Sequence, residues 1–387
     1  MTTKIIAAVE YSMDDGRIAV FERVSDYKNH QKKPQKVLPV FFNEGIQLRP
    51  SFVVADTASG SSHQIYVTTH QGLSQMNLEE CVDNVTEWQK GRVNATIAQR
   101  DENLTGHIVV HGGMVYWGAY SEERGGVRPP RKKNTVFVSS FSGTPQSIPL
   151  EKKSPSDEPL YETNGPIGHD GSHLIVPLED TLYFIASPQT HTAVSLPHDP
   201  LPEGEKFYVT AIASSPLFTV VATNRQSYYL IRDRTVIYCS PSRWSLDPQT
   251  TELTLPSAAH SVAIAGKYIL CGLNQGELRV LEVQNIKEGN VTLKRSLRRS
   301  IPSEDGIDLE KEIAGNEAND KHVDYRIHAL KVVPIFGTEY VFFTYRNKIY
   351  ELSVDDLCNP KKKMRNAPTF REYEAEHRIR SIDIVVR

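Results

Sequence analysis

The chain lacks most of the features that announce a chemistry. Cys81, Cys239, Cys271 and Cys358 are widely separated and form no Cys-x-x-Cys pair. That usage argues against a disulfide framework or thiolate metal site and fits a reducing compartment, where isolated Cys act as small buried hydrophobes. No apolar run approaches the roughly 18 residues of a membrane helix. Near the N-terminus only Ile5 to Val9 are successively apolar before Glu10, too short for a signal-peptide core. The Asn-x-Thr sequons at Asn84, Asn94, Asn103 and Asn290 are accordingly read as chance occurrences. A net charge of −3 leaves no general attraction to nucleic acid or membrane, so charge-driven binding has to be local. Gly-x-Ser-x-Gly elbows, phosphate-cradling Gly-rich loops and His-Glu-x-x-His helices are all missing.

What is present is a repeated pattern of short strands. From Phe207 to Cys239 the chain reads as four runs of β-branched and aromatic residues, broken at Ser214-Ser215-Pro216, Asn224-Arg225-Gln226 and Asp233-Arg234. Such runs are too short for helices and predict a four-stranded antiparallel meander. Val209, Ala211, Ile212 and Val220 to Ala222 put apolar residues on both faces, so the sheet must be covered on both sides. Comparable units are predicted over 51–99, 106–150, 165–197, 260–297 and 325–376. Another begins at 4–42, where Asp15-Gly16 marks a hairpin, and lacks a strand that 379–387 can supply. In the unit at 165–197, His169-Asp170-Gly171 is assigned to a turn. The one helix expected is Glu304 to Ile313, inside an acidic, polar insertion at 298–324 read as mobile.

About seven β-meanders of some 40 to 60 residues, with almost no helix, predict radial closure, which hides sheet edges. The expectation is one all-β domain: a single β-propeller of seven four-stranded blades closed by N- and C-terminal strands. Six blades is the alternative count. The whole chain resembles a degenerate WD-repeat propeller. The resemblance rests on this pattern and on the Gly106-His107 pair ahead of a strand, since Trp88, Trp117 and Trp244 are followed by Gln, Gly and Ser. It implies a non-catalytic protein-interaction scaffold, a subunit of a larger cytoplasmic or nuclear assembly, with no cofactor.

Candidate contacts sit in loops. Connections between second and third strands, and between blades, emerge on one rim, and the remaining turns on the other. Lys28, Lys32, Lys33 and Lys36 in the first blade face Lys361, Lys362, Lys363 and Arg365 in the seventh, which ring closure makes its neighbour. Together they could hold a nucleic-acid backbone or an acidic protein surface. Arg124, Arg128 and Arg131, in a connection spanning 121–134, belong to the opposite rim and can make bidentate contacts that Lys cannot. His169, Asp170 and His173 are the densest His and acid cluster, but a tight turn splays them, against a metal site. His107 and His111 would lie about 13 Å apart on an extended strand, too far for one ion. Tyr228, Tyr229, Phe342 and Phe343 are read as packing between blades. The predicted inner strands are mostly apolar, which speaks against a channel active site. An RNA- or DNA-associated propeller and a channel-site hydrolase or lyase are the two alternatives.

Overall fold

The computed structural model describes residues 3–10, 16–23, 36–40, 52–56, 63–69, 72–77, 95–96, 103–123, 131–140, 146–149, 166–187, 190–201, 205, 207–240, 253, 255–297, 326–359, 367–375 and 377–386. Among them are seven four-stranded antiparallel sheets. Blade 1 orders Arg378–Val386, Thr3–Glu10, Gly16–Glu22 and Lys36–Val40 from its first strand outward. Blade 2 holds Phe52–Asp56, His63–Thr69, Gly72–Asn77 and Ala95–Thr96, and blade 3 holds Asn103–His111, Met114–Glu123, Arg131–Ser140 and Gln146–Pro149. Blade 4 comprises Gly168–His169, Leu174–Leu178, Thr181–Ser187 and Thr190–Ser195. Blade 5 is Val209–Ser214, Thr219–Thr223, Tyr228–Arg232 and Thr235–Cys239. Blade 6 is Ala259–Ala265, Tyr268–Leu273, Leu278–Asn285 and Asn290–Ser296, and blade 7 is Leu330–Ile335, Thr338–Tyr345, Lys348–Ser353 and Arg371–Glu374.

The first strand of each sheet touches the first strand of the next, from blade 1 through blade 7 and back to blade 1. First strands are therefore innermost, around a common axis, and the chain is an all-β propeller. The strand from the C-terminal end lies between this axis and the N-terminal strand, with Thr3 opposite Val386 and Ile5 opposite Ile384.

Packing between blades follows from the two-residue period of a strand, which sends neighbouring side chains to opposite faces. Tyr228 joins the core shared with blade 6, whereas Tyr229 joins the core shared with blade 4. Phe342 packs toward blade 1 and Phe343 toward blade 6. All four rings are essentially sealed from solvent, and burying each such side chain contributes roughly 1.5–3 kcal/mol. Gly272 lets blades 6 and 7 close up: a Cβ there would stand 2.5 Å from Ser261 Oγ and 2.6 Å from Ile327 Cγ2.

Two sequence expectations need correcting. His169 belongs to the inner strand of blade 4, which is only two residues long, rather than wholly to a turn. The connection in blade 3 is shorter than 121–134, because both flanking strands extend into it and set Arg131 opposite Glu123 and Lys132 opposite Glu122. The expected helix at Glu304 to Ile313 and the insertion 298–324 lie outside the described residues. Among the described residues the α-helix is Val354–Cys358, where Ser353 Oγ accepts from the Asp356 N–H at 3.2 Å. Arg295 of blade 6 donates to the carbonyls of Asp356, Leu357 and Asn359 at 3.2, 2.7 and 2.9 Å. It thereby satisfies the carbonyls that a helix end leaves open.

Candidate functional site

The site emerges from a repeated irregularity in the inner strands. In blade 5 Val209 pairs with Thr223 and Ala211 with Ala222, leaving Thr210 as an extra residue. Blade 6 repeats the step, with Ala259 opposite Leu273, Ser261 opposite Gly272 and His260 left over. In blade 1, Ile379 opposes Val9 and Ser381 opposes Ala8, which leaves Arg380. A β-bulge of this kind turns the extra side chain out of the regular alternation. His328, two residues ahead of the inner strand of blade 7, occupies the corresponding place between buried Ile327 and Ala329.

These positions form an arc at one mouth of the central axis. The rings of His260 and His328 meet edge to face at 4.9 Å and 83°. Arg380 Nη1 lies 2.8 Å from His328 Nε2. A guanidinium has no acceptor, so Arg380 donates and His328 carries its own proton on Nδ1. Blades 6 and 7 are held together just beneath by Ser261 Oγ, which donates to the Ile327 carbonyl at 2.7 Å. The Thr210 hydroxyl is buried and has no hydrogen-bond partner. Arg326 and Arg378 each lie two residues ahead of an arc residue, and exposed Arg346 is tied to the same mouth because its carbonyl accepts from the Ile379 N–H at 2.9 Å. Glu10 stands opposite Arg378 in the register. Further along the inner strands Lys331 and Asp383 pair at 3.5 Å. The inner strands at 209–213, 261–265 and 327–333 are mostly apolar, with Thr210 and His328 the arc residues inside them and His260 just ahead of the second.

Blades 7 and 1 are also joined at a buried cluster further out. Glu351 is fully buried and accepts from Arg23 Nε at 2.7 Å, Arg371 Nη1 at 2.6 Å and Tyr373 OH at 2.6 Å. Arg23 stacks over Tyr340 at 4.5 Å, and its Nη2 is buried without a partner. Burial works to lower the Arg23 pKa, but the Glu351 charge outweighs it and the net direction is upward. Burial likewise pushes the Tyr373 phenol far up, with Glu351 adding to it.

The His and acid cluster of blade 4 is built as a turn. Asp170 Oδ1 accepts from the N–H groups of Ser172 and His173 at 2.8 and 2.7 Å, and Asp170 Oδ2 lies 3.2 Å from His173 Nδ1. Burial acts to raise the Asp170 pKa, but these bonds lower it overall. His169 stacks on His111 at 3.8 Å across the junction of blades 3 and 4, and burial, with the His111 charge adding, lowers its pKa to about 4. Among the described residues no group of three His, Cys, Asp or Glu could hold a metal ion. Ser215, across the groove from His173, gives its proton to the Phe218 carbonyl at 3.1 Å. Cys271 and Cys358 are buried as expected, whereas Cys239 is exposed. No helix of the described residues is long and apolar enough to cross a membrane.

Most of the basic loop residues fall outside the described residues: Lys28, Lys32, Lys33, Lys361, Lys362, Lys363, Arg365, Arg124 and Arg128. Lys36 and Arg131 each open a strand, in blade 1 and blade 3. The arc escaped the sequence reading although a signal existed. Val209-Thr-Ala-Ile212, Ala259-His-Ser-Val262, Ile327-His-Ala-Leu330 and Ile379-Arg-Ser-Ile382 align as apolar, polar, small, apolar.

Fold and mouth together define a seven-bladed β-propeller with a polar arc at one end of its axis. No protein-family model and no curated protein matches the sequence. Solved structures similar to it include the computationally designed Ika8 protein, at 12% identity over 98% of this chain and 90% of that one, with a TM-score of 0.48. The WD40 repeats of RRP9 show 9% identity over 95% and 96% of the two chains, again at 0.48. BBS1N, solved in complex with ARL6DN, shows 8% identity over 86% and 83%, at 0.47.

Proposed function

We propose that this propeller is a non-catalytic scaffold that holds a protein partner at the rim where its inner strands begin. The observation that carries this reading is the bulge arc, Thr210, His260, His328 and Arg380, which gives four successive blades a half-buried polar side chain in the same place. A closed ring fixes such groups without relying on loops, and that pre-organisation reduces the entropy lost on binding. Lys28, Lys32, Lys33, Lys36, Lys361, Lys362, Lys363 and Arg365 are assigned to a second anionic contact on the other rim. Support for it comes from Lys36 opening the outer strand of blade 1, and from the bonded helix that fixes Asn359 just before the lysines of blade 7.

The test is recovery from native extract under crosslinking. A stoichiometric protein partner is expected, released when the arc is substituted. A protein that runs alone as a clean monomer under all conditions overturns the proposal. Charge reversal of Lys361 to Lys363 then separates the rims, since nucleic-acid binding there would weaken steeply with salt.

A further inference from the structure

We infer that a trench on the rim opposite the arc binds an extended peptide segment, one in which an apolar side chain stands next to a single carboxylate. The site goes beyond the scaffold reading and shares no residue with the arc. Its volume is about 370 Å³, within the range of ligand pockets. Its walls come from three blades: His173 from blade 4, Leu217 and Arg234 from blade 5, and Ile286 from blade 6. A volume of that size drawn out across three blades suits an extended chain better than a compact molecule.

Three features of the walls fix the chemistry. Leu217 is 49% exposed beside buried Phe184, Phe218 and Ile231, so an apolar side chain gains by covering it. His173 is half-buried, with Nδ1 3.2 Å from Asp170 Oδ2 and no hydrogen bond to Nε2 from the described residues. With Nδ1–H donating to that carboxylate, Nε2 accepts an N–H from a peptide backbone. Finally, Arg234 is exposed, and its guanidinium makes no hydrogen bond or ion pair with the described residues. It lies in the two-residue turn that joins Tyr228–Arg232 to Thr235–Cys239, where Asp233 and Arg234 have φ of 48° and 61°. Asn-Gly is the pair such a turn prefers, so the arginine is held in a left-handed conformation that its side chain resists.

The other charges of the trench are already matched. Arg232 pairs with Asp233 at 3.4 Å, while Asp170 accepts from two backbone N–H groups and faces His173. Among the lining residues Arg234 is left over as one positive charge, which a single carboxylate balances with a two-pronged contact. A phosphate dianion brings a second negative charge up against Asp170 and Asp233.

The probe is a phage-displayed library of random linear heptapeptides, selected on the immobilised full chain. Selected peptides are then synthesised with a fluorophore and titrated by anisotropy. Enrichment of an apolar residue beside Asp or Glu is expected. The double variant D233N/R234G installs the turn pair that the backbone prefers, so its urea midpoint should equal or exceed that of the wild type. Its affinity for the selected peptide should nevertheless fall by about 10-fold or more, the loss of one charge-assisted contact. R234K keeps the charge but loses the fork, and should weaken binding by roughly 3-fold. L217S should weaken it by about 5-fold through lost apolar cover. Replacing the acidic residue of the peptide by phosphoserine should weaken binding too. The inference is overturned if selection yields no binder, if the binders lack a carboxylate beside an apolar side chain, or if D233N/R234G or L217S binds as the wild type does. Tighter binding of the phosphoserine peptide overturns it as well. The scaffold reading at the arc is tested separately by the extract experiment, in which D233N/R234G leaves the arc intact.

Discussion

Blades 7 and 1 meet twice through arginine, and the two meetings differ in what faces the guanidinium. At the buried cluster, Arg23 and Arg371 converge on one oxygen of Glu351 while Tyr373 takes the other. At the mouth Arg380 is half-buried and donates to an imidazole. Removing a carboxylate from the first leaves two buried cations uncompensated. Removing the guanidinium from the second leaves a histidine that water can reach. The same residue type thus locks the ring in one place and stands half-buried at its mouth in another.

The largest way to break this contrast is Glu351→Ala, expected to cost about 3–5 kcal/mol because it strands buried charge, measured by urea unfolding. Loss of less than about 1 kcal/mol would mean that water relieves Arg23 and Arg371. Next comes Gly272→Ala, whose Cβ would meet Ser261 Oγ at 2.5 Å and Ile327 Cβ at 2.9 Å. A cost of about 1–3 kcal/mol is expected from overpacking. A third test uses pH. The folded protein holds the pKa of His169 at about 4, below the ordinary 6.5, so the unfolded chain binds the proton more tightly. The corresponding stability is present above pH 6.5 and lost as pH falls toward 4, with a size of order 1 kcal/mol after solvent screening. His169→Gln should flatten that part of the urea-midpoint profile, which isolates it from the protonation of Asp170. The smallest effect is on the stability of Arg380→Gln, within about 0.5 kcal/mol as for surface substitutions. A loss as large as that of Glu351→Ala would erase the distinction between lock and mouth.

The architecture was legible because each blade repeats it locally. Tyr228-Tyr229 and Phe342-Phe343 could be assigned to packing between blades from strand period and composition alone. Other features depend on pairing that no single segment records. A bulge is a relation between two strands, so His260 and Arg380 look like ordinary strand residues until Leu273 and Val9 are set opposite their neighbours. Arg23 and Glu351 are separated by 328 positions in the chain, and nothing local links them. The inner strand of blade 4 was missed because it has only two residues. One of them, Gly168, is small because Ile212 Cγ2 would lie 2.8 Å from a Cβ there.

The pairing of Thr3 with Val386 also sets a folding schedule. Blades 2 to 7 can each form from consecutive chain, but blade 1 cannot complete its sheet until the last strand has been made. Contacts of such long sequence separation are slow to form, since loop-closure entropy must be overcome first. Until then Thr3–Glu10 presents an open strand edge, the kind that pairs with other chains. Ring closure should therefore be the late kinetic phase of refolding, and the interval before it the time at which the protein aggregates most readily.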